Sequence, residues 1–279
     1  MQEESVERFF YWIKERTRIQ ERKDRGDPWP WTEDPILQEY KFTNAYRERD
    51  KTTVWFRENI RDPLKFKPEV YMATVIFRWF NLIETGQTLL KHNLHIDWDP
   101  EKAYDVITPQ DKWITGAYMI KSPTSKNKVR GICETITNVW NDRERFLDKC
   151  PWDSLQKMNA WLEGYPFLGP FLAYELATDF RHTFVGFRAF DILTWANAGP
   201  GAMRGLNRIY GRELTYTSKK HDWCAEMRDL LTIAVIQQSL DFELREIEHS
   251  LCEFDKYERV RLKQGAPRSK YHYKGGINE

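Results

Sequence analysis

Apolar positions recur at helical spacing along most of the chain. In VERFFYWIKERTRIQERK, residues 6–23, Val6, Phe9, Phe10, Ile13 and Thr17 share one stripe with charged side chains opposite, which predicts an amphipathic helix. GDPWPWTEDP then breaks the pattern with three prolines, and Thr32 is placed to cap a second helix over ILQEYKFTNAYRERDKTTVWFRENI, 36–60. Two further helices are predicted over PEVYMATVIFRWFNLIETGQTLL, 68–90, and KVRGICETITNVWNDRERFLDKC, 128–150. Between them ITGAYMIKSP, 114–123, fits a short strand or a buried helical turn equally well. SLQKMNAWLEG, a Gly-Pro hairpin at Tyr165–Pro170 and FLAYELATDF follow, and a Gly-Pro-Gly turn opens AGPGAMRGLNRIYGR. Residues 221–263 read as two helices or one kinked helix. Repeats, alternating strands and Pro/Ser-rich linkers are all missing from the pattern. It therefore predicts an all-α domain over residues 1–265, with one lobe to about 150 and a hairpin-bearing lobe over 151–265 enclosing a cleft. A basic, flexible tail, 266–279, is expected to follow.

Composition narrows the classes. With 41% hydrophobic and 15% aromatic residues the 279-residue chain can bury a large core, and its twelve tryptophans leave some for a cleft as stacking surfaces. The net charge of +1 excludes a uniformly basic nucleic-acid binder, so any basic face is local. Lys14–Arg25 and Lys256–Lys274 are the basic stretches, each of which also reads as a solvated face. The four scattered cysteines lack a paired spacing, which points to reduced thiols and a cytoplasmic setting. His92 and His95 have no third ligand nearby in sequence, so no metal site is assigned. The N-terminus lacks a signal-peptide pattern and no stretch is apolar enough for a membrane span.

Candidate chemistry concentrates in Trp161–Arg208. Gly164 is placed to end one hairpin helix, and Gly169 to present backbone amides at the start of the next, where the helix dipole favours a phosphate. Gly199 and Gly201 would allow close backbone approach. Arg204 and Arg208, one turn apart, together with Asn197, would hold a phosphate or pyrophosphate. The turn is no Walker loop, because it lacks the Lys-Ser/Thr ending. The plainer readings are an ordinary helix pair and solvated arginines. Asp191 and Asp179 lie between apolar residues, where a carboxylate must be partnered or functional, a helix cap being the usual partner. KFTNAYRERD adds Lys41, Asn44 and Arg47 on one helical stripe with Asp50 close behind, a cleft edge or a solvent-facing stripe.

Taken together these motifs resemble a known family. PWTEDPILQEYKFTNAYRERD is similar to the signature of the helical domain found with phage 5-hydroxymethyluracil DNA kinases. LGPFLAYELATDF, DILTWANAGPGAMRGLNR and LCEFDKYERV resemble the alpha-glutamyl/putrescinyl thymine pyrophosphorylase group, the amino acid:DNA transferases. The resemblance runs from Phe9 to Arg268. It implies a fold related to helix-hairpin-helix DNA glycosylases and a role in phage thymine hypermodification, in the host cytoplasm. It also implies that a pyrophosphorylated hydroxymethyluracil in DNA is attacked by the amine of an amino acid (glycine or glutamate) or of putrescine, releasing pyrophosphate. A hydroxymethyluracil DNA kinase would be the partner that supplies the substrate. The implied base is flipped, with Trp31 or Trp195 against it. Asp191 or Asp50 would be the catalytic base, while Lys41, Asn44, Arg47, Asn197, Gly199, Gly201 and Arg204 would hold pyrophosphate. Gly164, Gly169, Arg208, Lys256 and Arg259 would meet the DNA backbone. No cofactor is implied, although Mg²⁺ is compatible with the pyrophosphate. The chain departs from the glycosylase pattern in its YPFLGP turn and in Phe171, which stands where bifunctional glycosylases have a lysine. A modified-base glycosylase and a non-catalytic DNA-binding module are the rival readings.

Overall fold

A computed structural model describes residues 1–116, 120–123 and 127–271. The helices, in chain order, are α1 (Glu3–Asp24), α2 (Pro35–Glu39), α3 (Lys51–Phe56), α4 (Asp62–Leu64), α5 (Glu69–Phe80), α6 (Ile83–Lys91) and α7 (Pro100–Ile107). They continue as α8 (Lys128–Asn141), α9 (Arg143–Lys149), α10 (Leu155–Leu162), α11 (Pro170–Phe180), α12 (Pro200–Tyr210), α13 (Trp223–Ile236) and α14 (Leu244–Arg261). The described residues contain no strand, only an isolated antiparallel bridge between Tyr40 and Lys270. The expected all-α class is what the chain adopts. No helix among the described residues is long and apolar enough to cross a membrane.

Long predicted helices are broken where a side chain competes for the backbone. The predicted 36–60 helix is interrupted: α2 stops at Glu39, a 3₁₀ turn spans Arg47–Arg49, and α3 widens into a π-turn at Arg57–Arg61. Asp34, not Thr32, caps α2, its Oδ1 accepting from the amides of Ile36 and Leu37 at 2.8 and 3.2 Å, because Pro35 fixes the first helical position. The predicted 68–90 helix divides at Asn81, which is left-handed (φ 47°), a conformation a short polar side chain tolerates. The C-terminal stretch resolves as two helices, α13 and α14, the second opened by a capping box between Glu243 and Glu246. Part of Ile114–Pro123 lies outside the described residues.

The chain groups into two compact units: Met1–Asp50 with Leu193–Glu279, and Lys51–Ile192. This partition differs from a break near residue 150, because both ends of the chain build the first unit. There α12 lies directly on α14: a Cβ on Gly205 would stand 2.5 Å from the Leu251 carbonyl oxygen, and one on Gly201 2.9 Å from Cys252 Sγ. The stretch expected to be a loose tail is fastened as far as Tyr271. The Lys41 amide donates to the Ser269 carbonyl, and the Tyr271 amide donates to that of Glu39. Residues 272–279 lie outside the described residues.

In the second unit α5 and α11 meet around a wholly buried ion pair. Arg78 reaches Asp179 with Nε at 2.5 Å and a terminal nitrogen at 2.9 Å, while its other terminal nitrogen donates to Asn81 at 2.9 Å. Phe56 lies under the guanidinium at 4.7 Å, and Tyr71, Phe146, Trp152 and Phe180 form an aromatic cluster beside it.

Two substitutions test this packing. Asp179→Asn, which leaves a buried guanidinium uncompensated, should lower unfolding free energy by about 3–5 kcal/mol in urea melts. Gly205→Ala should cost about 1–3 kcal/mol through forced separation of α12 from α14, whereas Gly199→Ala, with open space at its Cβ, should be close to neutral.

Candidate functional site

A dense polar arrangement of the first unit lies where the segment 41–50 meets α14. Asp50 is its centre. One carboxylate oxygen accepts from the Asn44 amide at 2.9 Å and from Asn44 Nδ2 at 3.1 Å, and the other accepts from Arg47 at 2.7 Å. Burial pushes the Asp50 carboxyl up, but Arg47, His249 and the Asn44 amide outweigh it and hold the group below the ordinary aspartate value of 3.8. Beside it Thr43 Oγ1 and His249 Nε2 share a hydrogen bond of 2.8 Å, and the Thr43 amide donates to Glu253 at 3.2 Å. Glu253 also pairs with Lys256. An ionised acid, an imidazole and a hydroxyl are thus held within one short segment and one helix face.

Lys41 is exposed, its Nζ 5.6 Å from the Tyr271 ring. Lys23 sits 4.5 Å from the rings of both Trp31 and Tyr271, so Trp31, whose Nε1 donates to the Asp27 carbonyl, is packed within its own unit and is no free stacking surface.

The second group of expected residues gathers around Asp255, a fully buried acid on α14. Arg204 Nε reaches it at 2.8 Å, Arg208 Nε at 2.9 Å and Arg259 Nε at 3.6 Å. Arg208 is buried and also donates to Gln264, so it is committed to the interior and does not face a backbone phosphate. Arg204 remains half-exposed. Gly201 is likewise spent on packing against Cys252, because a helix crossing this close has no room for a Cβ. Gly199 is the N-cap of α12 with open space beside it, and Trp195 and Asn197 lie half-buried in the segment leading there.

Four of the candidate residues fall in the second unit. Asp191 is buried and caps α10 from a distance in sequence: it accepts from Ser154 Oγ and the Leu155 amide, both at 2.7 Å, and from the Gln156 amide at 3.0 Å. Its position follows from the unsatisfied amides of that helix start. Gly169 is the N-cap of α11, as the sequence predicts. Gly164 does not end α10 in a left-handed conformation; the hairpin turns instead at Phe167 (φ 64°), after 3₁₀-type bonds from Gly164 to Trp161 and from Tyr165 to Leu162. Asp179, the alternative acid, is closed inside the Arg78 pair.

Sequence reasoning missed His249, Thr43, Glu253 and Asp255. The spacing of His249, Glu253 and Lys256 along one face of α14 was the available signal. Among the described residues no group of three or more His, Cys, Asp and Glu side chains is arranged for a metal ion.

Comparison with known proteins fits this frame. The family model "5-hmdU DNA kinase, helical domain" matches residues 3–266. A curated relative, the 5-hmdU DNA kinase of Bacillus phage SP10, is 25% identical over 226 residues, which is 72% of this chain and 36% of that protein. The chain thus spans about a third of the length of the curated relative it matches. No solved structure matches.

Because the folded carboxyl of Asp50 is held below its unfolded value, its contribution to stability is present above that unfolded value and is lost as pH falls through the folded one. The stability difference between wild type and Asp50→Asn, followed by urea melts, should be constant from pH 7 to about 5 and shrink below about 4. A difference that grew in acid would contradict the assigned environment.

Proposed function

Since this chain belongs to the 5-hmdU DNA kinase helical-domain family, we propose that it acts in hydroxymethyluracil DNA modification as the transferase that installs an amine on the base. The substrate is DNA carrying 5-(pyrophosphoryloxymethyl)uracil. The amine of glycine, glutamate or putrescine attacks the exocyclic methylene, the new C–N bond forms as the C–O bond breaks, and pyrophosphate leaves with the bonding electron pair. A hydroxymethyluracil DNA kinase activity supplies the pyrophosphorylated base, and Mg²⁺ is compatible with the departing pyrophosphate. The family match over residues 3–266 supports the part played in hydroxymethyluracil DNA modification, and the amine transfer is the proposal built on it. The hairpin of α10 and α11, with Gly169 at the second helix start, supports a helix-hairpin-helix glycosylase-like fold as part of the same proposal.

The side chains divide the work. Amines of this kind are protonated at neutral pH, so the nucleophile must lose a proton before it attacks. Asp50, held ionised by Arg47 and Asn44 and flanked by His249, is assigned as the acceptor of that proton. Asp191, engaged by the α10 amides, is given no part in the proton transfer; it holds the start of α10. The half-exposed Arg204, the α12 start at Gly199 and exposed Lys41 are assigned to the leaving pyrophosphate, whose developing charge such donors stabilise. Arg47 and Asn44 act through Asp50. The base must leave the stack to expose its methylene, and Trp195 is assigned to receive it.

Purified protein, DNA bearing the pyrophosphorylated base and a mixture of amino acids and putrescine should yield an amine-bearing thymidine on mass spectrometry of digested nucleosides. Asp50→Asn should lower the rate by roughly 10²–10⁴-fold. Base loss without adduct would replace transfer by glycosylase chemistry. Substrate that is bound but unchanged would replace it by a non-catalytic binding role.

A further inference from the structure

The second unit carries an aromatic ladder that the chemistry above does not use. After α11 the chain continues as a series of tight turns, with the amides of Thr183, Gly186 and Ala189 each bonded three residues back. Three residues per turn places every third side chain on the same face. Phe184, Phe187 and Phe190 occupy that face and are 37%, 56% and 69% exposed, while Thr183, Val185, Gly186 and Ala189 are buried. Gly186 makes this possible, since a Cβ there would stand 2.7 Å from the Phe180 carbonyl oxygen.

The rings are held outward by a pinned backbone. The Phe184 amide donates to the Lys65 carbonyl and the Phe190 amide to that of Asp153, both at 2.9 Å. The first bond sets the turn Lys65–Lys67 beside the ladder, and with it Phe66, 77% exposed. Cations interleave with the rings: Arg188 lies 5.1 Å from the Phe187 ring and Lys65 5.2 Å from that of Phe66, with Lys67 exposed next to it. Lys65, Lys67 and Arg188 make no ion pair among the described residues, whereas the neighbouring Asp62 lies 3.8 Å from Arg61. The remaining acids close to this face are Glu69, Asp153, whose carbonyl accepts from the Phe190 amide, and Asp191, which is buried against the start of α10.

We infer that the face formed by Phe66, Phe184, Phe187 and Phe190 with Lys65, Lys67 and Arg188 is a binding platform for single-stranded DNA. Unpaired bases stack on the exposed rings and the flanking phosphates meet the uncompensated cations. The alternation of ring and cation matches a chain that alternates base and phosphate. The inference shares the nucleic-acid reading proposed above but requires no particular chemistry on the base.

The test is fluorescence anisotropy with a labelled oligothymidine and with a duplex of equal length, using the full chain. The single strand should bind more tightly, and Phe187→Ala and Phe190→Ala should each weaken it roughly tenfold. Arg188→Glu should weaken it and flatten its salt dependence. Each variant's melting curve should match wild type, because these side chains are exposed. Equal binding of single strand and duplex, or ring variants that bind as wild type, would overturn the platform. So would a concentration-dependent dimer in light scattering that the ring variants abolish, since a second copy would then cover the face. Ring-dependent strand binding by a protein inactive in amine transfer would remove the transferase reading and leave the platform. Transfer by a protein whose strand binding ignores the rings would do the reverse.

Discussion

A buried carboxylate cannot stand alone, and the organisation of each unit follows from how one such group is matched. In the second unit Asp179 is entirely withdrawn from water and receives two bonds from Arg78, whose third nitrogen turns to Asn81 while one of the two on Asp179 also reaches Thr53, over the face of Phe56. Such a pair adds little net stability over a hydrophobic isostere, but it tolerates almost no displacement. It therefore fixes α11 against α5. Everything attached to α11 inherits that position: the hairpin from α10 at one end and the phenylalanine ladder at the other.

Asp255 imposes the same condition on the first unit. Arg208 and Arg204 approach it from α12, and Arg259 from one turn along α14. Gly201 and Gly205 let the two helices come close enough for those bonds to form. The two arginines and Gly201 that looked like a phosphate clamp in the sequence are thus largely spent on joining α12 to α14, and of the two arginines it is Arg204 that keeps substantial exposure. With α14 fixed, its other face presents His249, Glu253 and Lys256 to the segment 41–50, and Asp50 is set among Asn44, Arg47 and His249.

Asp191 shows why a sequence motif underdetermines a role. Its apolar flanks correctly marked it as a buried acid that needs partners. The partners are the amides that open α10, 36 residues away in sequence, together with Ser154. Holding that acid also holds Phe190 beside it, whose own amide is bonded to Asp153. One loop therefore joins a structural carboxylate to an outward aromatic face, and the two have different consequences for function.

The periodicity of apolar residues determined the helical class, the amphipathic face of α1, the hairpin before α11 and the start of α12, because these depend on spacings of three and four residues that any short segment displays. The grouping of Asn44, Arg47 and Asp50 was legible for the same reason, although a 3₁₀ turn and not a continuous helix brings them together. Tertiary structure alone decided which charges are free. Whether Arg208 meets a phosphate or Asp255, whether Asp191 accepts a proton or caps α10, and whether His249 reaches Thr43 all depend on contacts between residues 36 to more than 200 positions apart. The cost of leaving a buried charge unpaired settles those contacts, and that cost is set by the packed fold and not by the neighbours in the chain.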